Sequence, residues 1–182
     1  MVIPWVMNET KDVDLKDACL NDRCAQVLSQ LSGHPTASIP AACGGYAEMT
    51  AAYRFFDNEK VRFDNVLQPH IDATRRRMAE QSVVILVQDT TQIDLTRPQQ
   101  QVTGAGPVDG GARRGLFLHP LHAFSPDGTS LGTVHANVWT REDGPAATKS
   151  AKSERLRLQQ TPIEQKESQR WIDMMRQSRE EA

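Results

Sequence analysis

A chain of 182 residues has room for one domain or one and a half. With 38% apolar residues, 24% charged residues and a net charge of −2, it is not a disordered polyelectrolyte, and no apolar run approaches the ~20 residues that span a bilayer. Residues 1–82 carry 9 basic and 11 acidic side chains and residues 83–182 carry 12 of each, so neither half has the basic excess of a free-standing nucleic-acid binder.

Residues 1–14 read as an irregular arm that lacks the basic and apolar segments of a secretion signal. The expectation is an intracellular protein whose Cys19, Cys24 and Cys43 stay reduced. An odd number of cysteines, with no second Cys/His pair, points to buried structural thiols rather than zinc. From Asp14 onward, Leu15, Ala18, Cys19, Ala25, Leu28 and Leu31 recur at helical spacing. Asp14 can cap this helix, and Gly33 with Pro35 ends it. Residues 34–46 are turn formers and small residues. A second helix is predicted over 47–57, with Met49, Ala52, Tyr53 and Phe56 on one face. A third covers 64–80 and is bent or restarted at Pro69.

The texture then changes. Residues 82–89, SVVILVQD, form a continuous β-branched run, the pattern of a strand buried on both faces. Residues 98–112 read as a Gly/Gln/Pro loop. Strands over 116–124 and 130–140, joined by the turn Ser125-Pro-Asp-Gly128, form a predicted hairpin. Residues 141–162 read as a charged, mobile connector, and a helix covers 163–180. The predicted organisation is α+β: a helical domain over 1–80, then the start of an α/β core over 81–182. A parallel partner strand is expected after the last helix, so the chain reads as truncated.

Asp89 closes the apolar run at the sheet edge, where α/β folds place their sites. It is a metal ligand or a carboxylate capping the following turn. Asp94 lies an odd number of residues away and points to the other face. His119 and His122 resemble a zinc pair in spacing, but on a strand they face opposite sides. His34, His70 and His135 are isolated surface or packing residues. Arg75, Arg76 and Arg77 end the third helix, where cations suit the dipole and where a solvated end is the plain alternative. Arg113 and Arg114 flank a glycine-rich loop that can approach a phosphate backbone. Arg54 sits between Tyr53 and Phe55, an aromatic–basic mixture of the kind that meets nucleic acid. The alternative places Tyr53 and Phe56 in the core with Arg54 exposed between them. A plain amphipathic helix accounts for Lys166, Glu167, Ser168 and Trp171.

Taken together, ordered blocks of the chain resemble one family. SIPAACGGYAEMTAAYRFFDN (38–58) and the preceding LNDRCAQVLSQLSGHP (20–35) resemble the N-terminal DNA-binding region of bacterial cut-and-paste insertion-sequence transposases, in the Tn-five-like branch with a DDE triad. VVILVQDTTQIDL (83–95) is similar to the strand bearing that family's first catalytic aspartate, which maps onto Asp89. RGLFLHPLHAFSPDGTSLG (114–132), VHANVWTRED (134–143) and KESQRW (166–171) resemble later blocks.

The resemblance implies an RNase H-like catalytic core behind a helical domain that binds transposon ends. It implies three carboxylates holding two Mg2+ (or Mn2+) ions, with Asp89 the first catalytic and metal-binding acid. Thr90 and Thr91 would support its turn. The resemblance implies Arg54 as a contact to the terminal repeat; with the basic and aromatic clusters read above, the candidate DNA contacts are Tyr53, Arg54, Arg75, Arg76, Arg113 and Arg114. The partners implied are double-stranded DNA at terminal repeats, and a second copy or a full-length transposase. The location implied is the bacterial cytoplasm, at the nucleoid when bound. The family's second aspartate and its glutamate do not occur in these 182 residues. The expectation is therefore a chain that binds ends without cutting them alone, or one that regulates a full-length transposase.

Overall fold

The computed structural model describes residues 2–97, 99–100, 102–109, 112–142 and 159–180. Most of the connector predicted over 141–162, and residues 98, 101, 110 and 111 of the predicted loop, lie outside them. The chain divides into two units, Met1–Ser82 and Val83–Ala182. The first is helical and the second is an antiparallel sheet with a flanking helix, which makes the class α+β.

The predicted irregular arm is instead helix α1, Pro4–Thr10. Pro4 occupies the first turn, where its missing N–H loses no bond. Seven residues are too few to be stable alone. Tertiary contact holds them: Val6 is fully buried, and Ile3 N–H donates to Ser29 Oγ at 3.0 Å.

Helix α2 spans Ala18–Gly33, ending where the sequence predicts but starting later. Asp17, not Asp14, is its cap and accepts the N–H groups of Cys19 and Leu20. The reason is a turn just before it. Lys16 adopts a left-handed φ of 57°, and Asp14 accepts its N–H at 2.9 Å. That turn sends Leu15 into the interior, where it has no solvent exposure. Leu15 N–H is satisfied by Asn21 Oδ1 at 2.9 Å.

A short helix α3, Ile39–Ala42, interrupts the predicted turn region. Helices α4, Tyr46–Phe56, and α5, Phe63–Ala79, follow. Helix α5 runs through the buried Pro69 without restarting. Leu15, Cys24, Val27, Cys43, Ala52 and Phe55 form the core of this unit. Cys24 and Cys43 are buried thiols as predicted, whereas Cys19 is exposed. Phe55 is the core aromatic of α4; Tyr53 and Phe56 are 47% and 48% exposed. A helix places one arc inside, and the register that buries Ala52 puts Phe55 in that arc.

In the second unit the apolar run forms only a short strand, β1, Ile85–Gln88, and a second short strand, β2, Thr91–Asp94, follows it. Three more follow: β3, Gly106–Pro107, β4, Arg114–Phe124, and β5, Ser130–Trp139. Strands β1 and β2 pair antiparallel with β4 in one register, Gln88 opposite Leu121 and Thr91 opposite Leu118. They are two halves of one line. At the break, Asp89 Oδ1 accepts Thr90 N–H at 2.7 Å, taking that donor from the ladder. Strand β5 pairs along the other edge of β4, and β3 pairs with its start. The hairpin and its turn match the prediction: Gly128, at φ 88°, donates to the carbonyl of Ser125 at 2.9 Å.

The two-sided burial predicted for residues 82–89 does not hold. Ile85, Leu86 and Val87, on alternating faces, are 46%, 39% and 47% exposed. An apolar run states what a strand can bury, whereas neighbouring layers decide what it does bury, and the described residues do not cover β1 on both faces. The predicted last helix is a 3-10 turn, Ile163–Gln165, then helix α6, Gln169–Glu180. Met174 of α6 is 1% exposed. Along β4 burial alternates, so Phe117, His119 and Leu121 share the covered face and His122 lies on the other.

Candidate nucleic-acid interface

Helix α4 begins after Gly44, whose φ of 71° turns the chain where a side chain would be strained. Its buried arc, Ala52 and Phe55, leaves Tyr46, Thr50, Tyr53 and Arg54 outward at i, i+4, i+7 and i+8. Tyr46 is 81% exposed, and Thr50 donates its hydroxyl to the Tyr46 carbonyl at 2.8 Å. Thr50, Tyr53, Arg54, Phe56 and Asp57 line a shallow hollow of about 500 Å³. Arg54 has no ion-pair or hydrogen-bond partner for its side chain among the described residues. A free guanidinium between exposed rings can meet a phosphate bidentately or stack on a base.

The arginine run of α5 is placed differently. Arg77 Nη1 lies 2.5 Å from Glu9 Oε1, and His70 Nδ1 lies 2.6 Å from Glu9 Oε2. Arg76 is 3.4 Å from Asp12, and Arg75 is 3.9 Å from Asp72. This run clasps α1 to α5. Burial pushes the Glu9 carboxyl up, but hydrogen bonds from Arg77 and His70 outweigh it and hold the group below the usual range. In the second unit, Arg113 Nε lies 2.6 Å from Asp109 and its Nη1 lies 3.8 Å from Asp94. Arg114 donates to the carbonyl of Ala105 at 2.8 Å. Arg54, unlike Arg75, Arg76, Arg77 and Arg113, makes no ion pair among the described residues.

Asp89 is exposed at the β1–β2 break, next to a histidine that the sequence singled out only for its zinc-like spacing from His122. His119 is fully buried. Its Nδ1 lies 2.6 Å from Thr90 Oγ1, and its Nε2 lies 3.1 Å from Gln88 Oε1. The Gln88 amide donates to the Trp171 carbonyl at 3.3 Å, so its oxygen faces the ring. His119 therefore donates from Nε2 and accepts the Thr90 hydroxyl at Nδ1. The Trp171 ring stands edge-on to it at 4.8 Å. Burial lowers the His119 pKa; Asp89 opposes this and Arg170 adds to it.

Glu167, part of the KESQRW block, is bound to Arg141 through Nε at 2.6 Å and Nη2 at 2.5 Å. Arg141 holds its carboxyl below the usual range and packs 4.2 Å from the centre of the Phe117 ring. Alternation along β4 marks His119 as inward-facing. No sequence signal marks Arg141 as the partner of Glu167, because they are 26 residues apart.

Residues 3–61 match the family model for transposase DNA-binding. That region contains α1 to α4 and the displayed face of α4. None of the curated proteins compared matches the chain. Residues 3–61 are thus a transposase-type N-terminal region with a transposase-related DNA-binding role. Among the described residues, no helix is long and apolar enough to cross a membrane.

Proposed function

We propose that the chain binds double-stranded DNA at transposon ends, as the N-terminal part of a DDE-type, Tn-five-like insertion-sequence transposase. The observation that carries this reading is the outward face of α4, inside residues 3–61. There Tyr46 and Tyr53 are exposed beside an Arg54 that has no partner among the described residues. A net charge of −2 gives no general attraction to DNA, so affinity rests on such local cations, each of which releases counterions on binding.

For the second unit, an RNase H-like core is supported by the antiparallel order β1/β2, β4, β5 and by Asp89 at a strand break. Mg2+ or Mn2+ in a two-metal site needs clustered carboxylates. Asp89 is one exposed carboxylate, and no group of three His, Cys, Asp or Glu that could hold a metal occurs among the described residues. These residues do not fit a metal pair, and no cleavage step is assigned to them. The function proposed is end binding without cleavage by this chain alone, with regulation of a full-length transposase as the consequence of occupying its ends.

The test is fluorescence anisotropy of the purified chain with duplexes from the DNA flanking its gene. Binding that weakens with salt, and that falls about tenfold in Arg54→Ala, is expected. The absence of duplex binding at low salt would overturn the reading.

A further inference from the structure

A second arginine, Arg23 of α2, lines a separate groove together with Arg54. Between α2 and α4 lies a groove of about 560 Å³, lined by Asp17 and Arg23 on one side and Tyr46, Ala47, Ala51 and Arg54 on the other. Two arginines from different helices therefore line one concavity. Neither has an ion-pair partner among the described residues. Asp17 is already engaged, because its carboxylate caps α2 and lies 3.7 Å from Lys60 Nζ. Ala47 and Ala51, one helical turn apart, leave the α4 side of the groove low enough for a backbone to come close. Tyr46, at 81% exposure, stands on α4 as a further hydroxyl donor.

We infer that this groove seats a backbone phosphate of DNA between Arg23 and Arg54. Resting on the DNA-binding reading above, this names the part of the duplex the face holds and adds a contact from α2. The chemistry required is a compact acceptor for two planar cationic donors, which an anionic phosphodiester satisfies. Such a contact fixes where the duplex lies and carries no sequence information itself. Arg23 is thus a positioning contact that weakens binding to every sequence alike when removed.

The experiment uses the full chain with Arg23→Gln, Arg54→Gln and the double variant. Dissociation constants are measured from 50 to 200 mM salt on two duplexes of equal length and unrelated sequence, with a thermal melt of each variant. The double variant is expected to reduce the slope of log K against log salt by about 0.9, the value for one phosphate no longer neutralised, and each single variant by a part of that. Both duplexes are expected to lose affinity by the same factor. Arg23→Lys, which keeps the charge, is expected to retain the wild-type slope, and Lys11→Gln, at the end of α1 and 3.9 Å from Asp12, to leave it unchanged. An Arg23→Gln slope equal to wild type, or a loss confined to one duplex, overturns the phosphate contact and leaves the DNA-binding reading standing. A wild-type chain that binds neither duplex overturns both.

Discussion

Thr90 donates its hydroxyl to Nδ1 of His119 across 2.6 Å, joining the interruption in the β1–β2 ladder to a ring with no solvent exposure. Through Gln88 the same ring is linked to the Trp171 carbonyl at the start of α6. One neutral imidazole thereby ties the strand beside Asp89, the middle of β4 and the flanking helix.

The first prediction concerns that ring's charge. Burial depresses its pKa in the fold, while the unfolded chain takes up the proton near pH ~6.5. Its stabilising contribution is fully present above that pH and is lost as pH falls through the folded value. Thermal melts from pH 8 to 5 should show this loss, and His119→Gln should flatten it while costing about 1–3 kcal/mol at pH 8. Nitrogen NMR should show the Nε2–H tautomer at pH 7; a doubly protonated ring at that pH contradicts the assignment.

The second separates core from surface on α4. Phe55 is 3% exposed, whereas Phe56 is 48% exposed and edge-on to it at 5.5 Å. Phe55→Ala should cost about 3–5 kcal/mol. Phe56→Ala should cost at most about 1.5 kcal/mol, the scale of one aromatic pair. Tyr53→Ala should leave the melting curve nearly unchanged and weaken duplex binding. Equal destabilisation by Phe55→Ala and Phe56→Ala in urea titrations would refute the register of α4.

The third follows from the clasp between α1 and α5. Glu9 is held ionised by Arg77 and His70, and its pKa is depressed on balance. Its contribution is present above the ordinary carboxylate range and is lost as pH falls through the folded value. Between pH 5 and 3, amide exchange in α1 should accelerate before that in α2. In Glu9→Gln, α1 should exchange fast already at pH 6. Simultaneous exchange of both helices in the wild type would count against an acid-sensitive clasp.

The fourth concerns Arg141. It binds both Glu167 oxygens, stacks on Phe117 and donates to the Val108 carbonyl at 3.2 Å. A lysine keeps the charge but neither the fork nor the flat stacking surface. Because the pair is partly exposed, Arg141→Lys should cost about 1 kcal/mol in chemical denaturation. A stabilised or unchanged variant would show that the fork contributes nothing.

Much of the chain's local order was legible in the sequence, because local order depends on nearby residues. The end of α2 at Gly33, the extents of α4 and α5, and the hairpin turned at Ser125–Gly128 follow from periodicity and turn chemistry. The opposite placement of His119 and His122 follows from strand alternation. The candidate site was legible in part. An aromatic–basic mixture singled out Tyr53 and Arg54, but nothing local distinguishes them from the equally basic Arg75 to Arg77.

Tertiary structure alone decided the rest. Helix α1 exists because Val6 and Ile3 find partners on other helices. The cap of α2 moved to Asp17 because a left-handed Lys16 sends Leu15 inward. The arginine run became a clasp because Glu9 and Asp12 are brought beside Arg77 and Arg76. Arg23 joined Arg54 because two helices 13 residues apart in sequence lie side by side. Sequence specifies propensity and pattern over a few residues. Which charges are neutralised, which rings are covered and which arginines stay free depends on contacts between residues distant in the chain.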